Sequence, residues 1–424
     1  MMNYSKSKYN FIYKRGKDEN VIYNTFSKAL VVLSDDEKER FDSNELTSDE
    51  IINELLENRI LIENTFSETD FLKYFHYKTK FAGDTLFLTI APTMDCNFAC
   101  PYCYENRRKG KMSKEVQDAL IKYVEETVTS GVTNIDISWY GGEPLLCVDI
   151  VESLSKRLTK IANDNKCNLK MHMVTNGYLL TSKIVELLDE IGITKLQITI
   201  DGLKEHHDKS RPLRDGRGTY DKIIENLSLF EESPIAVVIR MNVDNNNFVD
   251  FARLKEIIKG LGNPNVDIYA SPVEDINRDT VNKVSEFMSA DEFEEFTIKL
   301  CDDGSLSPED FSVMDDRYCF CTAETENCYV VDELGNFYKC WDEVGRPEHK
   351  CFNILDSENI NYSIIAKYVA DDPFSDIKCK DCKFLPLCFG GCKFQKNNLN
   401  KSVCGFTDES LKKYIESAFF TESV

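Results

Sequence analysis

Cys96, Cys100 and Cys103 stand on one short stretch, with three residues and then two between them. They directly follow the apolar run Thr85 to Ala91, which reads as a buried strand, so the cysteines belong to the loop at its carboxyl end. Three thiolates at this spacing can wrap three corners of a cubic iron–sulfur cluster and leave one iron open to a small molecule. A zinc knuckle is the competing use. Zinc wants a fourth Cys or His nearby, and none follows before Cys147.

The elements that must position this loop are legible from residue 85 onward. Strands are expected at Thr85–Ala91, Ile135–Trp139, Leu169–Val174, Lys195–Ile200, Ala236–Val243 and Val266–Ala270, with helices near 113–128, 148–164, 182–191, 219–231 and 248–260. Six βα units of this rhythm make a parallel, right-handed sheet with helices outside. Polar residues and glycines gather at the carboxyl ends of these strands, where such folds place their chemistry. Tyr140-Gly141-Gly142-Glu143-Pro144 follows the second strand, Thr175-Asn176-Gly177 the third and Asp201-Gly202 the fourth. The paired glycines allow close backbone approach and Pro144 fixes the turn.

The cysteine spacing, with the aromatic Tyr102 before the third cysteine, resembles the radical S-adenosylmethionine (SAM) superfamily. The resemblance implies an α/β fold, a partial (β/α)6 TIM-type barrel. It also implies that a [4Fe-4S] cluster on Cys96, Cys100 and Cys103 cleaves SAM to methionine and a 5′-deoxyadenosyl radical. Gly141, Gly142, Glu143 and Pro144 are similar to the family's GGEP motif, whose backbone and glutamate hold the SAM amino group. By the same likeness Arg211 meets the SAM carboxylate, a bidentate pairing, and Asn242 contacts the ribose. Thr175, Asn176 and Asp201 complete the expected SAM-binding set, together with Tyr102.

A second cysteine field lies toward the end of the sequence. Cys379, Cys382, Cys388 and Cys392 have two, five and three residues between them, and Cys404 follows. Upstream, Gly335 precedes Cys340 by four intervening residues, with Cys319, Cys321 and Cys328 before it. This order resembles the SPASM domain of peptide-modifying radical SAM enzymes. It implies two auxiliary [4Fe-4S] clusters, one on Cys321, Cys328, Cys340 and Cys392 and one on Cys379, Cys382, Cys388 and Cys404. Both Cys319 and Cys321 satisfy the upstream spacing; Cys321 is preferred because Cys321-Thr322-Ala323 is similar to the family's usual opening. Zinc ribbons are the alternative for CxxC pairs. Asp342 is the candidate for a catalytic acid or base. In sulfatase-activating relatives an aspartate directly follows the corresponding cysteine, whereas here Trp341 does.

The first 80 residues read as three short strands (Tyr9–Tyr13, Val21–Tyr23, Ala29–Leu33), two helices with capping-box starts at Ser34 and Thr47, and a closing strand at Ile60–Ile62. A helical connector is expected over Phe66–Tyr77, with Phe71, Tyr74 and Phe75 on one side. The unit is winged-helix-like. It resembles the recognition element of enzymes that modify ribosomally made peptides, which binds a leader peptide as an added strand. The expected domains are therefore 1–80 for leader recognition, 81–300 for the radical SAM barrel and 301–424 for the SPASM module. The segment 271–317 reads as acidic helix and linker without chemistry.

Composition bounds the partners. The 424 residues carry a formal charge of -22, which argues against nucleic acid as the main partner. No apolar run is long enough to span a membrane, and the opening residues lack a signal peptide's continuous apolar segment. The 16 cysteines without an export signal point to metal rather than disulfides, and to the cytoplasm. The expected partners are a precursor peptide bound through its leader and an external one-electron reductant such as flavodoxin or ferredoxin. The expected activity is that of a radical SAM oxidoreductase installing an intramolecular cross-link, a Cys thioether, in that peptide. The alternatives are carbon–carbon coupling, epimerisation, anaerobic sulfatase maturation, and a non-catalytic iron–sulfur adaptor that only binds peptide.

Overall fold

The computed structural model describes residues 3–273, 287–302, 304–306, 317–399 and 404–420. Much of the 271–317 segment, for which the sequence suggests no chemistry, lies outside the described residues. The chain divides into two compact units: Met1–Ala82 with Cys301–Thr325 and Val369–Val424, and Gly83–Leu300 with Glu326–Tyr368.

The first unit begins with β1 (Tyr4–Lys6), β2 (Asn10–Arg15), β3 (Glu19–Asn24) and β4 (Leu30–Leu33), followed by α1 (Asp35–Ser43), α2 (Asp49–Glu57), β5 (Leu61–Glu63) and α3 (Glu68–Phe81). Strands β2, β3 and β4 form an antiparallel sheet in that order, and β1 pairs with β5. Because side chains alternate across a strand, the sheet has two apolar faces. Ile22, Val31 and Leu33 pack with Phe41, Leu55 and Leu61. Phe11, Val21 and Tyr23 pack instead with Leu411, Tyr414 and Ile415 of the helix Asp408–Phe420. Residues far apart in sequence therefore share one core, each large apolar side chain contributing about 1.5–3 kcal/mol on burial.

Ser34 caps α1 with the reciprocal Glu37 contact of a capping box. At α2 the cap is Ser48, whose side chain accepts from the Ile51 amide, and not Thr47. Helix α3 buries Glu68, Leu72, His76 and Lys80, a spacing of four that keeps one helix face inward. Phe71, Phe75 and Tyr74 follow one another in ring contact along one side, with Tyr74 61% exposed at its edge.

The second unit carries β6 (Thr85–Ile90), α4 (Lys114–Thr129), β7 (Asn134–Trp139), α5 (Val148–Asn165), β8 (Asn168–Thr175), α6 (Ser182–Glu190), β9 (Ile193–Thr199), α7 (Lys204–Ser210), α8 (Tyr220–Leu227), β10 (Ala236–Val243), α9 (Phe251–Gly260) and β11 (Val266–Pro272). Strands β6 to β11 are parallel and lie side by side in sequence order. This is the partial (β/α)6 barrel. Beyond β6 the sheet continues into β12 (Cys328–Val331), parallel to it, and then antiparallel β13 (Asn336–Tyr338) and β14 (Phe352–Asn353). The stretch 326–368 thus extends the barrel sheet.

Candidate functional site

The carboxyl ends of β6 to β10 in the second unit hold the site. The cysteine loop leaves β6 and is fastened from two sides. The segment after α7 pairs with it through a Phe98–Leu213 bridge, and the Ala99 amide donates to the Pro212 carbonyl at 2.8 Å. The Arg214 amide donates to the Asn97 carbonyl at 3.1 Å, and its guanidinium pairs with Asp95.

From the other side, the Gly142 amide donates to the Thr93 carbonyl at 3.1 Å and the Glu143 amide to the Asp95 carbonyl at 2.9 Å. A Cβ at Gly141 would stand 2.8 Å from the Ala91 Cβ, and one at Gly142 2.8 Å from the Met94 carbonyl carbon. Such separations exclude any side chain, and Gly141 also has φ of +105°. The sequence suggests glycines that make room for a ligand; the close approach they permit here is to the backbone of the cysteine loop itself.

Glu143 is fully buried. Its carboxylate accepts from Thr175 Oγ1 at 2.7 Å, the Asn176 amide at 2.7 Å and the Leu145 amide at 3.0 Å. Burial pushes its pKa up, against these hydrogen bonds. Pro144 opens the short 3-10 turn that Glu143 caps. Asn176 then reaches the cysteine loop, its Nδ2 donating to Asn97 Oδ1 at 2.8 Å and lying 3.9 Å from Cys96 Sγ.

Tyr102 gathers a second group. Its hydroxyl donates to Asp201 Oδ2 and accepts from Arg211 Nη1 at 2.6 Å and Asn242 Nδ2 at 3.3 Å. The Asn242 amide donates to Asp201 Oδ1 at 3.2 Å. Every SAM-binding candidate named from the sequence therefore lies in one of two connected groups around the cysteine loop.

None of the three cysteines is in a disulfide. Burial, with the Glu143 charge second, pushes Cys96 up to about 12, and burial pushes Cys100 up to about 11. Ionising them costs energy that a bound metal cluster would return. Arg211 Nε and Asn97 Nδ2 are buried donors with no partner among the described residues. Unsatisfied donors of this kind are costly, and they suit a carboxylate-bearing ligand such as SAM. The residues present fit a cluster with SAM beside it.

Sequence reasoning did not single out Asn97, Tyr104, Tyr140 or Arg107. Tyr104 and Tyr140 share a hydrogen bond between their hydroxyls, and Tyr140 stacks on Trp341 at 5.7 Å between ring centroids. Asp342 lies close to Cys340, with 3.6 Å between Sγ and Oδ2. Arg107 had a usable signal: a cation four residues past Cys103 is within reach of the loop it follows.

In the first unit, Cys379, Cys382, Cys388 and Cys404 come together: burial raises the Cys388 thiol to about 11, and the other three sulfurs add negative charge beside it. Cys321 and Cys392 belong to this unit, and Cys328 and Cys340 to the second.

The first unit also holds His76, Cys319 and Glu324, all buried, with ligand atoms within 4.8 Å of one another. Two buried ammonium groups already serve this carboxylate, Lys80 at 3.8 Å and Lys393 at 3.6 Å from Glu324 Oε2. Lys393 also pairs with Asp371 at 2.8 Å. A cation added there would meet two like charges, so the trio reads as the edge of an ion network.

A parallel partial barrel with a cysteine loop at the carboxyl end of its first strand defines a cluster-bearing α/β enzyme. Residues 90–258 match the Radical SAM superfamily, so the chain carries a radical SAM domain and is an enzyme of the kind that uses a [4Fe-4S] cluster and SAM.

Among curated relatives, the cysteine-type anaerobic sulfatase-maturating enzyme of Clostridium novyi (strain NT) is 24% identical over 371 residues, 78% of this chain and 95% of that protein. A GTP 3',8-cyclase of Clostridium perfringens is 30% identical over 38% of this chain and 48% of its own. Among solved structures, native anSMEcpe with bound AdoMet and Cp18Cys peptide superposes with a TM-score of 0.63 at 20% identity, covering 79% of this chain and 97% of that one. Streptococcus suis SuiB bound to precursor peptide SuiA gives a TM-score of 0.53 at 16% identity, covering 92% and 95%. At these identities the structural likeness establishes the fold. Among the described residues, no helix is long and apolar enough to cross a membrane.

Proposed function

We propose that this enzyme matures a ribosomally made peptide, joining a cysteine sulfur to a carbon of another residue as an intramolecular thioether. The observation that carries the peptide reading is the open edge of β4, which has β3 on one side and no strand on the other among the described residues. Val32 on that strand is 41% exposed. An extended leader can add there as a further strand. That SuiB carries a precursor peptide and anSMEcpe a peptide in their structures supports the same class of substrate.

When bound, the cluster and SAM supply a carbon-centred radical that removes hydrogen from the substrate. This chain's residues bind and orient. With SAM bound, Arg211 Nε and Asn97 Nδ2 would offer donors to its carboxylate, Glu143 would accept from its amino group, and Asn242 would contact the ribose. Forming a carbon–sulfur bond removes two hydrogens, so a second electron needs an acceptor. Cys379, Cys382, Cys388 and Cys404 form a closed four-thiolate bed suited to that task. A second auxiliary cluster on Cys321, Cys328, Cys340 and Cys392 follows from the motif order. Cys319, with its sulfur 3.8 Å from His76 Nδ1, is engaged elsewhere, which supports Cys321 in this set. By ligand count the protein carries about twelve irons in all.

Mass spectrometry of the precursor after anaerobic treatment with SAM and reductant tests the product. A thioether removes two hydrogens and one alkylatable thiol per link. Loss of two hydrogens with every thiol still reactive means a carbon–carbon link, and unchanged mass means epimerisation or no reaction. Conversion of a sulfatase peptide's cysteine to an aldehyde would favour the sulfatase-maturase alternative, to which the Clostridium novyi relative points. Failure to form 5′-deoxyadenosine would leave only the peptide-binding adaptor.

Leader binding has its own readout. Backbone amides of β4 gain hydrogen-exchange protection when full-length precursor is added, and a leaderless peptide leaves them unchanged. Equal protection by both peptides would refute strand addition.

A further inference from the structure

Arg107 is a half-buried cation whose bonds go to the cysteine loop. Its Nη1 donates to the Phe98 carbonyl at 2.9 Å and its Nη2 to the Cys100 carbonyl at 3.3 Å. It also hydrogen-bonds the Cys103 sulfur. Burial works against its charge, yet the sulfurs of Cys103, Cys100 and Cys96 together hold its pKa above the ordinary value.

Other charges near the loop are differently disposed. The Arg211 guanidinium faces Cys100 but stands 4.0 Å from Asp201, which offsets it. Glu143 adds negative charge beside Cys96, while Glu105 beside Cys103 has its carboxyl pushed up to about 8 by burial. Arg107 has no carboxylate within ion-pair distance among the described residues; its charge acts on Glu105 and, with two loop hydrogen bonds to hold it, on the three sulfurs.

We propose that Arg107 sets the reduction potential of the cluster on Cys96, Cys100 and Cys103, as a fixed positive charge that favours the reduced state. The proposal rests on reading that loop as the cluster's bed. Reduction transfers one electron from an external one-electron donor to the cluster, breaks no bond, and adds one negative charge among three thiolates. Net charge and hydrogen bonds to the sulfurs are the levers by which a protein moves such a potential. A guanidinium supplies both, and it stays charged at every working pH.

The test is a redox titration of the anaerobically reconstituted full chain, following the electron paramagnetic resonance signal that changes on SAM addition, which marks the core cluster. Arg107→Gln retains donors for the two loop carbonyls and removes the charge. The expected result is a reduction equilibrium at least tenfold less favourable, about 59 mV lower for one electron, with the parent's iron content. Arg107→Lys, which keeps the charge, is expected to restore most of that shift.

A Gln variant within threefold of the parent, or a Lys variant as displaced as Gln, overturns the proposal. Should Gln prevent cluster assembly, the Lys variant decides. A potential near the parent's supports the role of charge, and a tenfold displacement refutes it. Absence of any SAM-responsive signal in the parent itself would overturn the cysteine reading along with this one, whereas an unshifted Gln variant overturns this one alone.

Discussion

Replacing Cys96, Cys100 and Cys103 together by alanine abolishes reductive cleavage of SAM and removes one cluster, about four of the twelve irons expected by ligand count. The loss is expected to be complete because a three-cysteine loop leaves one iron open to SAM, whereas the proposed auxiliary sets have four thiolates each and leave none. The fold should survive. The loop is held by backbone bonds from Gly142, Glu143 and Arg214, none of which uses a cysteine side chain. Two measurements check this: 5′-deoxyadenosine by chromatography, and iron together with the absorbance of the remaining clusters. Residual 5′-deoxyadenosine in the triple variant would remove the loop from the chemistry.

The second large effect concerns stability. Glu324→Ala destabilises the first unit by about 3–5 kcal/mol, the usual cost of stripping one partner from a buried ion pair. Lys80 and Glu324 are both 0% exposed. Without the carboxylate Lys80 retains only its bond to the Asp371 carbonyl at 2.6 Å, and its ammonium faces that of Lys393. Urea unfolding of the anaerobically purified protein measures the change. A double variant, Glu324→Gln with Lys80→Met, removes one charge of each sign and should recover much of the loss. A change below about 1 kcal/mol in Glu324→Ala, typical of exposed pairs, would show that water reaches the network.

The barrel was legible because its signal is local. Strand β6 alternates Leu86, Leu88 and Ile90 inward, and the helices between strands repeat at helical spacing, so periodicity alone places both. The site candidates were legible for a related reason: polar residues next to glycine at the carboxyl tip of a strand stand out against apolar runs. What those residues touch was not. Glycines read as space for a ligand turned out to press on the cysteine loop, because the register between the ends of β6 and β7 is a tertiary fact.

The same limit hid β1 and β12 to β14, strands of two to four residues, of which β1 and β12 find a partner far away in sequence. Choosing Ser48 over Thr47 as the helix start depends on a single backbone geometry, and sequence patterns leave element ends uncertain by a few residues. The aromatic side of α3 was legible, but that Glu68, Leu72, His76 and Lys80 form its buried face was not, because polar residues give no burial signal in sequence.

The shared core of the first unit has a consequence for biosynthesis. Ribosomes deliver a chain from its beginning, and domains generally fold as units as they emerge. The sheet β2–β4 appears early, but the side chains that cover its Phe11, Val21 and Tyr23 face come from the helix Asp408–Phe420. Some 390 residues of translation, on the order of 20–80 seconds at ~5–20 residues per second, separate the two. Throughout that interval the barrel can close, while the earliest strands wait with a greasy face uncovered. Nascent chains of this enzyme should therefore be clients of holding chaperones until the last helix clears the tunnel. A premature stop near residue 405 would leave a protein with an intact barrel and a permanently sticky first unit.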